Sequence, residues 1–307
     1  MAFQFDPAKN LSENARKLGA QQIDAVLKRL TIKSKQARAV HEARKTMKRL
    51  RALLRLIKPA LDKKTFRANE EQLKEIARSL SGARDIQAML ECIAKLEAAE
   101  PDAAKEPVGI ALKDHLEIQR REAESELLGR SGSGLQKQLR QVKKAFAGLQ
   151  IEGVGAEIIF TSIQKDYAAA RDAFHHAYEA ERDEAFHEWR KLVQRHWRQL
   201  LLIEAGWPSM IRQQINIVNE LADMLGDDHD LYMLADRIRG ADKALGNQKQ
   251  IDAYLALCRS RQEILRMRAK LLGERLFSEK PASIAARLTA YWRSQPDFAA
   301  MFGKEML

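Results

Sequence analysis

The chain is poor in residues that interrupt or cross-link a fold. Its 307 residues include two cysteines, seven prolines and 15 glycines. Cys92 and Cys258 lie far apart with no CxxC or zinc-like spacing, which argues against a disulfide framework and for buried thiols in a reducing compartment. No apolar run approaches the roughly 20 residues of a membrane span. The start, MAFQFDPAKN, lacks the charged head and apolar core of a signal peptide, so the expected location is the cytoplasm. There is no Walker A loop, no GxSxG and no HExxH. Glycines nowhere cluster into a phosphate-cradling loop, and no cofactor is implied. Aromatics are 6% of residues. On the basic segments they are chiefly Trp189 and Trp197, poor support for a platform that stacks single-stranded bases.

Helix formers fill the space these absences leave. Ala, Leu, Arg, Lys, Glu and Gln dominate, and no period-two strand pattern competes. With 45% hydrophobic and 31% charged residues, the chain reads as a folded all-α protein. Its length fits two ordinary domains or one large one.

Charge of one sign is in excess. The formal net charge is +11 and the pI about 9.6, which favours acidic partners. The segment Lys33–Lys58 carries ten basic residues against one acid, Glu42. At 3.6 residues per turn, His41, Arg44, Lys48, Arg51 and Arg55 share one arc, flanked by Lys45 and Arg49. Val40, Ala43, Met47, Leu50, Leu54 and Ile57 take the far side. One face can be buried while the other presents a row of cations suited to a repetitive polyanion.

In chain order, 12–30 reads as a helix capped by Ser12, and Ser34 caps the basic helix, which stops near Pro59. Helix 64–97 breaks at Ser81-Gly82, and 100–109 is a loop. Helix 110–128 ends in a glycine turn before a short helix, 135–149. IEGVGAE is the clearest linker. The second half repeats the first. VHEARKTMKRLRALLRL (40–56) lies over FHEWRKLVQRHWRQLLLI (186–203), and EIARSLSGARDIQAMLECI (75–93) over ELADMLGDDHDLYMLADRI (220–238). His41, Arg44, Lys45 and Arg49 thus meet His187, Arg190, Lys191 and Arg195. The second copy is weaker, with Gln194 and Trp197 at positions held by Lys48 and Arg51, and Arg198 partly restores the charge. It should make fewer anion contacts. Two halves, 1–150 and 151–307, are expected within one domain.

Arg grips two phosphate oxygens with a planar fork and Lys supplies a compact charge. Histidine can donate a hydrogen bond in either protonation state. DDHD (227–230) could hold a divalent ion, but its repeat counterpart GARD (82–85) has no histidine and one acid. Asp85 and Asp230 are better read as partners of arginines or as caps after a helix break, so no metal site is expected.

Through HEARKTMKRLRALLRL, LSGARDI, HEWRKLVQRHW and LGDDHDL, over most of its length, the chain resembles the CHAD family, the conserved histidine α-helical domains. YAAARDAF (167–174) is similar to the family's Y-x-x-x-R element and adds Arg171. The resemblance implies two pseudo-symmetric four-helix halves in one bundle, and binding of inorganic polyphosphate by the histidine helices. No acidic EIExK-like start precedes residue 12, so a stand-alone copy is expected. The candidate binding residues are His41, Arg44, Lys45, Lys48, Arg49, Arg51, Arg55, Arg171, His187, Arg190, Lys191, Arg195 and Arg198. The expected role is a non-enzymatic one of targeting or sensing, at polyphosphate granules. Nucleic-acid binding and phosphate transfer or polyphosphate hydrolysis are the alternatives.

Overall fold

The computed structural model describes residues 3–31, 36–80, 82–130, 132–151, 157–241 and 245–294. Among them there is no strand. The described residues form a bundle of eleven α-helices: α1 (Leu11–Leu30), α2 (Gln36–Leu56), α3 (Lys63–Ser79), α4 (Gly82–Ala99), α5 (Pro107–Arg130), α6 (Gly132–Ala147), α7 (Glu157–Ala180), α8 (Asp183–Ile203), α9 (Pro208–Arg239), α10 (Gln248–Leu276) and α11 (Pro281–Arg293). The expected all-α bundle is what the chain forms. Six helices precede the 152–156 segment and five follow it, against the four per half that the resemblance implies.

Several helix ends differ from the sequence reading, each for a local reason. The first helix starts at Leu11, capped by Asn10 in a capping box with Glu13, which satisfies two otherwise orphaned backbone donors. Ser12 instead donates to the Leu149 carbonyl, 3.2 Å away. The segment read as a loop, 100–109, holds a 3-10 turn, Pro101–Lys105, and the start of α5. Pro107 suits the first helical position because its missing N–H would go unused there. Gly109 is therefore helical, and it meets the Tyr254 ring, whose Cε2 would lie 2.8 Å from an added Cβ. The basic helix ends at Leu56 ahead of Pro59, as read. The break near Gly82 is also present, since α3 stops at Ser79 and α4 starts at Gly82. In contrast, α9 runs unbroken through 227–230, so Asp230 caps nothing. The Ser34 cap, Ser81 and most of the linker lie outside the described residues.

Packing brings α2 against α1, α3, α7 and α8, while α9 packs on α4, α8 and α10. The apolar side of α2 supplies Met47, Leu50 and Leu54, and Ile57 follows just past its end, all fully buried. From α8, Trp189 is fully buried beside Phe174, Tyr178 and Phe277, with ring centroids 5.2 to 6.4 Å apart. Burying side chains of this size contributes about 2 kcal/mol each before entropy. The Phe5 N–H donates to the Leu202 carbonyl at 2.7 Å, which ties the start of the chain to α8. With their apolar faces so fixed, α2 and α8 must turn their polar faces to a shared space.

Candidate anion-binding site

Where α2, α4, α8 and α9 converge, they leave an open cavity of about 530 Å³. From α2 come His41, Arg44, Lys45, Lys48 and Arg49; α8 adds Arg190 and Arg198. Asp85 of α4 and His229 and Asp230 of α9 complete its polar lining. Among the described residues, six permanent cations therefore face two carboxylates.

Three of the arginines are held by neighbours. Arg44 donates to Asp85 at 3.1 Å and to the Leu80 carbonyl at 3.2 Å. That carbonyl is accessible because α3 has just ended. Arg49 donates to Gln22 of α1 at 3.2 Å and lies over the Phe3 ring. Arg198 donates to the Gln194 carbonyl at 2.7 Å and lies 5.1 Å from the Trp197 ring centroid. Burial, then the nearby Arg49 and Arg190, push the Arg198 pKa down to about 10. Burial also lowers that of Arg190, which the charges of Asp230, Asp227 and Asp228 oppose. Arg190 Nε and Trp197 Nε1 are buried with no hydrogen-bond partner among the described residues, an unusual state for a buried donor.

A histidine pair adjoins the cavity, with His229 in its lining. The rings of His187 and His229 stack at 4.0 Å between centroids. Burial depresses both pKa values, with help from Arg190 and Lys191, and that of His229 falls to about 4. At neutral pH both rings are uncharged.

Seven of the 13 sequence-derived candidates line the cavity: His41, Arg44, Lys45, Lys48, Arg49, Arg190 and Arg198. His187 reaches it only through His229. Arg51 and Arg55 instead converge on Glu70 of α3, each at 2.7 Å. Burial alone would raise the Glu70 pKa, but hydrogen bonds from the two arginines outweigh it and the carboxyl stays ionised. Arg195 pairs with Asp166 of α7 at 2.9 Å, and Lys191 with Glu188 of its own helix at 2.6 Å. Arg171 is half-buried on α7 near Tyr167, away from the cavity. Asp85 does pair with an arginine, as the sequence suggested, and Asp230 is the carboxylate acting most strongly on Arg190. His229 was visible only as part of DDHD; its stacking on His187 had no sequence signal. Among the described residues no His, Cys, Asp and Glu side chains group into a metal site.

The family model of the CHAD domain matches residues 17–239, a span that includes every cavity-lining residue. The chain belongs to the CHAD family. No curated protein matches the chain. Among solved structures it is similar to PptA from Streptomyces chartreusis, at 15% identity and a TM-score of 0.62, over 87% of this chain and 99% of that one. At that identity the likeness speaks for the fold alone. No described helix of this CHAD protein is long and apolar enough to cross a membrane.

Proposed function

We propose that this CHAD protein binds inorganic polyphosphate in the cavity between α2, α4, α8 and α9, without turning it over. The observation that carries the reading is the convergence of six cations on one open space of about 530 Å³. Successive turns of α2 repeat charge along the cavity, as a linear chain of phosphates does. Arginine forks and lysine ammonium groups are the donors that such oxygens accept from. Family membership supports the same ligand, because polyphosphate binding is what the resemblance implies. The carboxylates on the cavity wall face arginines, which suits a scaffold role better than that of a catalytic base. In the cell, such a module would sit in the cytoplasm with polyphosphate granules, as a targeting or sensing element.

Calorimetry at about 0.15 M salt, where exposed charges are screened beyond about 8 Å, tests the reading. Long-chain polyphosphate should bind, more tightly than short chains or single-stranded DNA. The logarithm of its affinity should fall linearly with the logarithm of salt concentration as counterions are released. No binding of the long chain overturns the proposal. Equal or tighter binding of DNA would transfer it to nucleic acid. Release of phosphate, or a phosphorylated histidine, after incubation with magnesium and polyphosphate would make the protein an enzyme.

A further inference from the structure

The cations account for phosphate, but not for the rest of the cavity wall. Ala88 and Met89 of α4, Trp197 and Leu201 of α8 and Met233 of α9 line the same space. Met233 remains 38% exposed. A bare phosphate chain offers nothing to cover these groups, since apolar surface left in contact with water gains nothing from the ligand. The groups also have a particular character. The Arg198 guanidinium lies over the Trp197 ring, so the cation at this end is a flat, layered surface. The two methionines are adaptable, polarisable side chains that favour aromatic neighbours. A volume of about 530 Å³ is that of a small-molecule pocket, in which an apolar wall and a few polar groups together fix one ligand.

We infer that the cavity accepts nucleoside polyphosphates, with the base against the Trp197–Arg198, Met89 and Met233 wall and the phosphates along the α2 cations. The inference rests on the phosphate-binding reading above and extends it to phosphate chains that carry an aromatic cap. The base needs no hydrogen-bond readout here, because the wall offers thioethers, a methyl group and a planar cation. Adenine, guanine and uracil should therefore all be accepted, ranked by stacking surface.

The test compares adenosine triphosphate with inorganic tripolyphosphate by calorimetry on the full chain, without divalent cations. Electrostatics alone ranks tripolyphosphate first, since it carries the greater charge for the same number of phosphates. The inference requires the opposite order, with the nucleotide at least about fivefold tighter, the lower end of one base–aromatic contact. The variants M89S and M233S should weaken that preference while tripolyphosphate binding stays at the wild-type level, which also shows that the fold is intact. Tripolyphosphate binding as tightly as the nucleotide, or tighter, overturns the inference and leaves polyphosphate binding standing. A preference left undiminished by M89S and M233S also overturns it, because the base then does not touch this wall. If neither ligand nor long-chain polyphosphate binds, both readings are lost.

Discussion

Helices α2 and α8 carry the same His-Glu-x-Arg-Lys pattern and differ in what they do with it. From α2, five consecutive positions of the polar face line the cavity, four of them permanently charged. From α8, Arg190 and Arg198 do so, together with Trp197 and Leu201. Arg44 and its counterpart Arg190 both line the cavity, but other motif positions differ in use. Arg49 faces the cavity, whereas its counterpart Arg195 holds Asp166. Lys45 also faces the cavity, whereas Lys191 is tied to Glu188. The reverse holds further along, where Arg51 and Arg55 are engaged by Glu70 while Arg198 turns inward. The neighbouring helices make the difference. On one side α3 supplies Glu70 and then stops at Ser79, while on the other α7 supplies Asp166 and α9 continues unbroken to Arg239. A repeated motif thus conserves charge along a helix but not the assignment of each charge to ligand or scaffold.

This comparison can be broken most directly by removing the α2 cations. The triple variant K45A/K48A/R49A should weaken long-chain polyphosphate at least about 100-fold at 0.15 M salt, given about 1.5–3 kcal/mol for hydrogen bonds to charged groups. Calorimetry across a salt series should also show a shallower slope. The second largest effect is on stability. E70A strands Arg51 and Arg55 around a buried site, and thermal unfolding should report a loss of about 2 kcal/mol, below the fully buried case because the arginines are partly exposed. The α8 wall comes next: R190Q with R198Q should cost about tenfold in polyphosphate affinity, or roughly 1.4 kcal/mol.

A smaller effect concerns pH. His229 and His187 are kept neutral by burial first and by surrounding cations second. A bound polyanion reverses the second cause and raises both pKa values. Binding must then take up protons, and affinity should rise on acidification from pH 8 to 6, by about twofold given linkage. Calorimetry in two buffers of different ionisation enthalpy checks the sign. The free protein should show the opposite trend in stability. His196, fully buried against Tyr167, and His229 both have pKa values near 4 against 6.5 for the ordinary group. The unfolded chain therefore binds protons that the fold refuses, and stability falls as pH drops from 6.5 towards 4. The smallest expected change is for K191A/R195A, at most about twofold in polyphosphate affinity, because exposed pairs such as Lys191–Glu188 contribute little. Equality of this variant with K45A/K48A/R49A would restore the symmetry that the cavity denies.

Much of the architecture was legible in the chain. Periodicity and helix-forming composition gave the all-α class, and the proline after α2 and the glycine that opens α4 marked real boundaries. Errors fell where a local signal had two readings. Ser12 and Asn10 both cap helices well, and only the Glu13 side chain returning to the Asn10 N–H selects between them. Pro101, Pro107 and Gly109 read as a loop because proline and glycine punctuate loops, yet Pro107 starts a helix and Gly109 makes room for Tyr254.

By itself the sequence determined the helical class, the basic row on α2 and its weaker copy on α8. Those properties depend on residue type and spacing within one helix, where 3.6 residues per turn fixes which side chains are neighbours. Tertiary structure decided which cations line the cavity. Arg51 and Arg55 meet a carboxylate on α3, Arg195 meets one on α7, and His187 meets a histidine on α9. Such pairings form between separate helices, so they depend on axial shift and rotation set by buried side chains such as Met47, Leu54 and Trp189. No spacing within α2 or α8 encodes that rotation, and the apolar wall beside the cations emerges only when α4, α8 and α9 come together.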